Sequence, residues 1–203
     1  SNMLRPYNMW TKVNPFDNLN CGDIGDIPVN PFDLKDSVLR ITKFYENLLS
    51  SPLIPVAMGG DHTLTLPVLR ALKKKYGKVG LIHIDAHADI NDEMFGEKIA
   101  HGTPFRRAYE ESLIDPNNVF QIGLRGTGYS AFDFEEARGW GFNIIQAEEI
   151  WHKSLLPLGE LINSRLKGIP VYLSFDIDSL DPAYAPGTGT PEIGGLTTPQ
   201  AIE

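Results

Sequence analysis

The chain has 203 residues, 42% apolar and 22% charged, with a net charge of −8, which is enough apolar content for one ordinary globular core. The acidic balance argues against a nucleic-acid footprint, which needs a basic stripe, and no apolar run approaches the ~18 residues of a membrane span. A single cysteine, Cys21, excludes an intrachain disulfide framework and suits a reducing compartment.

Ser1-Asn2 ahead of Met3 reads as a scar of tag removal, outside the fold. Residues 14–30, rich in Pro, Gly and Asn, form a loop-rich approach with one short strand expected over 21–24 and Cys21 as a small filler beside it. From there a unit recurs: a short apolar run, a polar loop, then a helical pattern. Helices are expected over 32–50, 65–76, 104–112, 131–140, 147–151 and 155–166, and strands over 53–58, 79–84, 119–122, 142–145 and 171–175. That alternation predicts βαβ crossovers and an α/β fold with a mainly parallel sheet. The near-continuous apolar strands imply cover on both faces. Asp33 at a helix start and Lys73, Lys74 and Lys75 near a helix end complement the helix dipole, and Gly77 and Gly168 follow helices as breakers.

Three clusters arrive where apolar runs end: Gly59-Gly60-Asp61-His62, Asp85-Ala86-His87-Ala88-Asp89 and Ser174-Phe175-Asp176-Ile177-Asp178. Residues two apart share a face of an extended chain, so Asp85, His87 and Asp89 can converge, as can Asp176 and Asp178. Ligands in open parallel sheets bind beyond the carboxyl ends of strands, where these clusters lie. One site with His62 and Asp89 and another with His87 and Asp178, bridged by Asp85 and Asp176, would hold two cations. The mixture of imidazole and carboxylate suits Mn, Fe or Zn better than Ca or Mg. Asp61 is read as a cap of the following turn, and His83 and His152 as ordinary partly buried or surface histidines.

The run Gly59-Gly60-Asp61-His62-Thr63, then His83-Ile84-Asp85-Ala86-His87-Ala88-Asp89, His101-Gly102-Thr103-Pro104-Phe105, Ser174-Phe175-Asp176-Ile177-Asp178-Ser179-Leu180-Asp181-Pro182 and Pro186-Gly187-Thr188-Gly189-Thr190-Pro191-Glu192 resembles the ureohydrolases, the family of arginases, agmatinases and guanidino acid hydrolases. The agmatinase and guanidino acid hydrolase branch fits best. The resemblance implies a three-layer αβα sandwich and a binuclear Mn2+ site with ligands His62, Asp85, His87, Asp89, Asp176 and Asp178. It implies hydrolysis of a terminal guanidino group, of agmatine or a small guanidino acid such as guanidinobutyrate, to urea and an amine. The implied attack is by a hydroxide bridging the metals, with Asp178 as proton donor to the leaving amine and His101 as shuttle to bulk water. A homo-oligomer, trimeric or hexameric, and a cytoplasmic or mitochondrial-matrix location are further implications.

Tyr129 and Arg125, on a glycine-bearing strand-end loop, are candidate substrate contacts. Lys98, Arg106, Arg107 and Arg125 lean towards an acidic substrate end. The Gly187-Thr188-Gly189-Thr190 loop lacks the lysine and spacing of a P-loop and reads as a site wall. Family members are longer, so residues 1–203 are expected to form a single incomplete ureohydrolase domain. It would lack an opening strand and helix, further core strands and the acidic residue that binds the guanidinium. Such a chain would expose sheet edges, and the alternative function is a catalytically incomplete form that binds metal or associates with full-length subunits. Formiminoglutamate hydrolysis is a second alternative and a mononuclear zinc deacylase a third.

Overall fold

A computed structural model describes residues 5–203; Ser1, Asn2 and Met3, with the expected scar, lie outside the described residues. In chain order the helices and strands are α1 (Pro15–Asn18), α2 (Leu34–Leu48), α3 (Thr65–Tyr76), β1 (Val79–Ile84), α4 (Pro104–Glu110), β2 (Ile114–Leu124), α5 (Asp133–Trp140), β3 (Asn143–Gln146), α6 (Ala147–Ile150), α7 (Leu156–Leu166), β4 (Val171–Phe175) and α8 (Thr198–Ile202). The Asp33 side chain caps α2 by accepting from the Asp36 amide, and Gly77 ends α3 at φ 78°. A residue without a Cβ reaches that left-handed geometry at little cost.

The strands form one parallel sheet in the order β3-β2-β1-β4. Strand alternation sends Val79 and Leu81 to a core with Leu66 and Leu69 of α3, Phe105 and Ala108 of α4 and Ala137 of α5. It sends Ile82, Ile84, Phe120 and Ile122 to the other face, against Ile150 of α6 and Ile162 and Leu166 of α7. Helices thus cover both faces of the sheet, and the fold is a three-layer αβα sandwich. A further helix, α2, packs Tyr45 and Leu49 on Val68 and Ala71 of α3.

Two expected strands do not form. Residues 53–58 carry no strand, and Ile54 and Met58 are 92% and 100% exposed. A strand exists only through a ladder partner, and an apolar sequence does not supply one; no described strand pairs with this segment. Residues 21–24 are likewise irregular, and Cys21 is exposed rather than a filler. Strand β2 is longer than expected because its first half pairs with β1 across a register shift between Val79 and Leu81.

Register positions the site. Ile84 pairs with Phe175, and the Asp176 amide donates to the Ile84 carbonyl at 2.8 Å, so β1 and β4 end level and Asp85 and Asp176 emerge side by side. The Asp85 amide donates to Ile122 of β2, and the Arg125 amide to Ala86. Between them Gly123 sits at φ 95° in the bulge of β2, where a Cβ would stand 3.1 Å from the Asp85 carbonyl. A side chain there would push β2 away from the end of β1.

Candidate metal centre

Asp61 accepts from the Thr63 amide at 2.8 Å and caps the short 3-10 turn His62–Leu64, as expected, which aims His62 across to β4. There the His62 Nε2 lies 2.8 Å from Ser174 Oγ. That contact occupies Nε2 and leaves Nδ1 facing Asp89 Oδ2 at 2.8 Å, Asp85 Oδ2 at 3.3 Å and Asp176 Oδ2 at 3.6 Å. His87 Nδ1 faces Asp178 Oδ2 at 3.2 Å and Asp85 Oδ1 at 3.5 Å. Asp85 therefore stands between the two imidazoles, one oxygen toward each. Asp89 is held toward His62 by a backbone at φ 52°, left-handed geometry that a short acidic side chain tolerates better than most.

Hydrogen bonds fix the carboxylates. Asp85 Oδ1 accepts from the His87 amide at 2.7 Å, and Asp176 Oδ1 from the Asp178 amide at 3.0 Å. Asp178, 3% exposed, accepts at Oδ1 from the Ala86 amide and at Oδ2 from Thr190 Oγ1. Burial pushes the Asp89 and Asp176 carboxyls above the usual carboxylate range, and in both cases the Asp85 charge adds to it. Burial works against a charged His62, yet Asp85 and Asp89 raise it to about 10; His87 is raised to about 10 by Asp178 and then Asp85.

This donor set fits divalent cations. His62, His83, Asp85 and Asp89 form one group, and Asp85, His87 and Asp178 another, each with its donor atoms within 4.8 Å of one another. The buried His62 Nδ1 has no hydrogen-bond partner although three carboxylate oxygens surround it. A ring nitrogen set among carboxylate oxygens, its other nitrogen held by a second group, is the arrangement of an imidazole ligand.

Above the cluster opens a cleft of about 940 Å³. His101, 45% exposed at the side chain, lines it with Nδ1 4.0 Å from Asp61 Oδ2. Tyr129 also lines it, exposed, on a turn in which Asp133 accepts from the Tyr129 amide and the Ser130 hydroxyl. Residues 187–190 form a wall, as expected, and Pro191 and Glu192 continue it.

Arg125, expected to touch substrate, lines the cleft and has a further task. It is 4% exposed, and its guanidinium donates to the carbonyls of Gly123, Asp178, Ser179, Leu180, Glu192 and Ile193. It ties the end of β2 to the loops that carry Asp178 and the cleft wall. The other cations that leaned toward an acid are also engaged: Arg106 with the Ile90 carbonyl and Glu136, Arg107 with Asp92, and Lys98 with Asp92. Their side chains therefore lend no support to recognition of a substrate carboxylate.

His83 is not the ordinary histidine expected; it is fully buried, with Nε2 2.7 Å from Asp85 Oδ2 and Nδ1 2.9 Å from Gln121 Nε2. Two signals pointed to this pair: His83 precedes Asp85 by two on the same strand face, and Gln121 is a polar residue inside the apolar run of β2.

A parallel sheet covered by helices, with histidines and aspartates converging beyond its strand ends, defines an α/β protein with a candidate metal centre. The chain belongs to the arginase family, whose family model matches residues 1–203. It is 62% identical over 201 residues to the guanidinobutyrase of Pseudomonas aeruginosa, covering 99% of this chain and 63% of that protein. Among solved structures it is similar to the proclavaminate amidino hydrolase of Streptomyces clavuligerus, with a TM-score of 0.92, 37% identity and coverage of 100% of this chain and 67% of that one. It is also similar to a variant of Trypanosoma cruzi formiminoglutamase with Mn2+, with a TM-score of 0.86, 26% identity and coverage of 97% and 65%. The chain spans 57–63% of the length of the first curated relatives it matches.

Proposed function

We propose that the protein hydrolyses a terminal guanidino group to urea and an amine, with a small guanidino acid such as guanidinobutyrate, or else agmatine, as substrate, and with two Mn2+ as cofactor. The observation that carries this reading is Asp85, whose two oxygens face His62 and His87 at 3.3 and 3.5 Å. A carboxylate shared in this way, with Asp89 and Asp176 on one side and Asp178 on the other, supports two adjacent cation sites. The similarity to guanidinobutyrase supports the choice of a guanidino acid, and the Mn2+ of the formiminoglutamase neighbour supports the choice of metal.

His62, Asp85, His87, Asp89, Asp176 and Asp178 would hold the two ions. Bound there, they would supply Lewis acidity and a hydroxide nucleophile near neutral pH. The protein must then deliver a proton to the departing amine as the carbon–nitrogen bond breaks. Asp178 would hold that proton at Oδ2, where the Thr190 hydroxyl, 3.0 Å away, can rotate from donor to acceptor. His101, partly exposed on the cleft, would then return a proton between the site and bulk water.

The test is urea release with added Mn2+, screened over guanidinobutyrate, guanidinopropionate, agmatine and arginine, with metal content assayed on the same sample. Urea from one substrate, lost on chelation, restored by Mn2+ and abolished in Asp176→Asn, is the expected outcome; two bound metals without urea from any guanidine would point instead to the catalytically incomplete form. Tyr129 is proposed to contact the substrate end away from the guanidinium. Tyr129→Phe is expected to raise KM several-fold for the preferred substrate with little change in kcat, because it removes a contact made equally in ground and transition states. Kinetics unchanged across all four substrates would remove Tyr129 from the site.

A further inference from the structure

Behind Asp85, on the side away from the cleft, His83 of β1 and Gln121 of β2 stand opposite one another in the parallel register, both fully buried. The Gln121 Nε2 lies 2.7 Å from the Ala88 carbonyl as well as 2.9 Å from His83 Nδ1. A carbonyl only accepts, so the amide must turn its NH2 group toward Ala88. The second hydrogen of that group then points at His83 Nδ1, which must accept it. An imidazole accepting at Nδ1 is neutral and carries its proton at Nε2, from which it donates to Asp85 Oδ2 at 2.7 Å. One main-chain carbonyl thus determines, through two side chains, which Asp85 oxygen is hydrogen bonded from behind.

The same logic separates His83 from the imidazoles it resembles. It lies close enough to be grouped with His62, Asp85 and Asp89 as a possible donor, but a protonated Nε2 has no lone pair to offer a cation. The arrangement also carries a cost, since Gln121 Oε1 is buried with no hydrogen-bond partner. The amide is nevertheless needed, because its NH2 group serves both the Ala88 carbonyl and His83 Nδ1, and an apolar side chain would leave these two buried acceptors unpaired.

We infer that His83 and Gln121 are positioning residues: Gln121 holds His83 as an Nε2–H donor, and His83 turns the Asp85 carboxylate so that its remaining lone pairs face the two cation sites. The inference rests on the binuclear reading of the centre. Partners behind a carboxylate ligand are worth about 10–100-fold in metal affinity, and calorimetric titration of the full chain with Mn2+ measures this directly. His83→Leu and Gln121→Met are expected to bind about 10–100-fold more weakly. His83→Gln, whose amide N–H can reach the same oxygen, should stay within a few-fold of the unaltered protein. Gln121→Met should also unfold earlier in urea, because the Ala88 carbonyl and His83 Nδ1 lose their donor; a purely structural role for the amide gives that shift without the loss of Mn2+ affinity. Nitrogen NMR of the unaltered protein should place the His83 proton on Nε2 alone. Wild-type affinity in both His83→Leu and Gln121→Met, binding by His83→Gln as weak as by His83→Leu, or a proton on Nδ1 would overturn the inference and leave the binuclear reading standing. An unaltered chain that binds no Mn2+ would overturn both.

Discussion

Asp85→Asn is expected to lose tight binding at both cation sites and to release urea more than about 100-fold more slowly. The bound follows from the outer partners of metal ligands, whose loss alone costs about 10–100-fold; a ligand placed between two sites must cost more. The substitution keeps the volume but exchanges one acceptor oxygen for an NH2 donor. Both oxygens of Asp85 are already committed, Oδ1 to the His87 amide and Oδ2 to His83 Nε2, so no rotation of the amide satisfies both donors. Whichever way it turns, an N–H faces another N–H behind it and one of the imidazoles before it. Asp89→Asn, by contrast, disturbs a carboxylate that faces His62 and is expected to weaken one site and spare the other. Metal content after dialysis against a fixed Mn2+ concentration, measured beside urea release, distinguishes the two. Retention of two ions by Asp85→Asn would sink the shared-carboxylate geometry.

Arg125→Met is expected to destabilise the fold by about 3–5 kcal/mol and to shift the urea unfolding midpoint accordingly. The methionine fills the space, but six main-chain carbonyls lose the guanidinium at once, with the Ser179 carbonyl keeping the Leu196 amide. Most of those carbonyls belong to loops outside the four-stranded sheet, Gly123 of β2 excepted, and burial limits how many can turn to water. Arg125→Lys should recover only part of the loss, because one ammonium offers three donors from a single point where the guanidinium offers a planar fork of five. Circular dichroism over a urea series measures both. An unchanged midpoint in Arg125→Met would mean that the wall at 187–192 closes without its clasp.

Several features were legible in sequence because they are local. Asp33 and Asp61 cap where the polar residue precedes an apolar periodic run, and helix 65–76 coincides with α3. The pairs Asp85/His87 and Asp176/Asp178 sit where strands β1 and β4 end. Other features were not. Residues 53–58 have the composition of a strand and none of its pairing, since composition reports preference and pairing requires a neighbour. The structural task of Arg125 was hidden because the carbonyls its guanidinium holds lie up to 68 residues away in sequence.

From its sequence alone this protein was determined to be a parallel α/β chain whose strand ends carry histidines and aspartates able to meet. Side-chain alternation along a strand and the chemistry of the donor atoms are properties of a few consecutive residues. Only the tertiary structure decided that Asp85 would stand between His62 and His87, and that a histidine would be set behind it by a glutamine 38 residues on. The register of β1 against β4 and β2 makes those choices, and register is settled by packing on both faces of the sheet at once, which no local stretch of sequence contains.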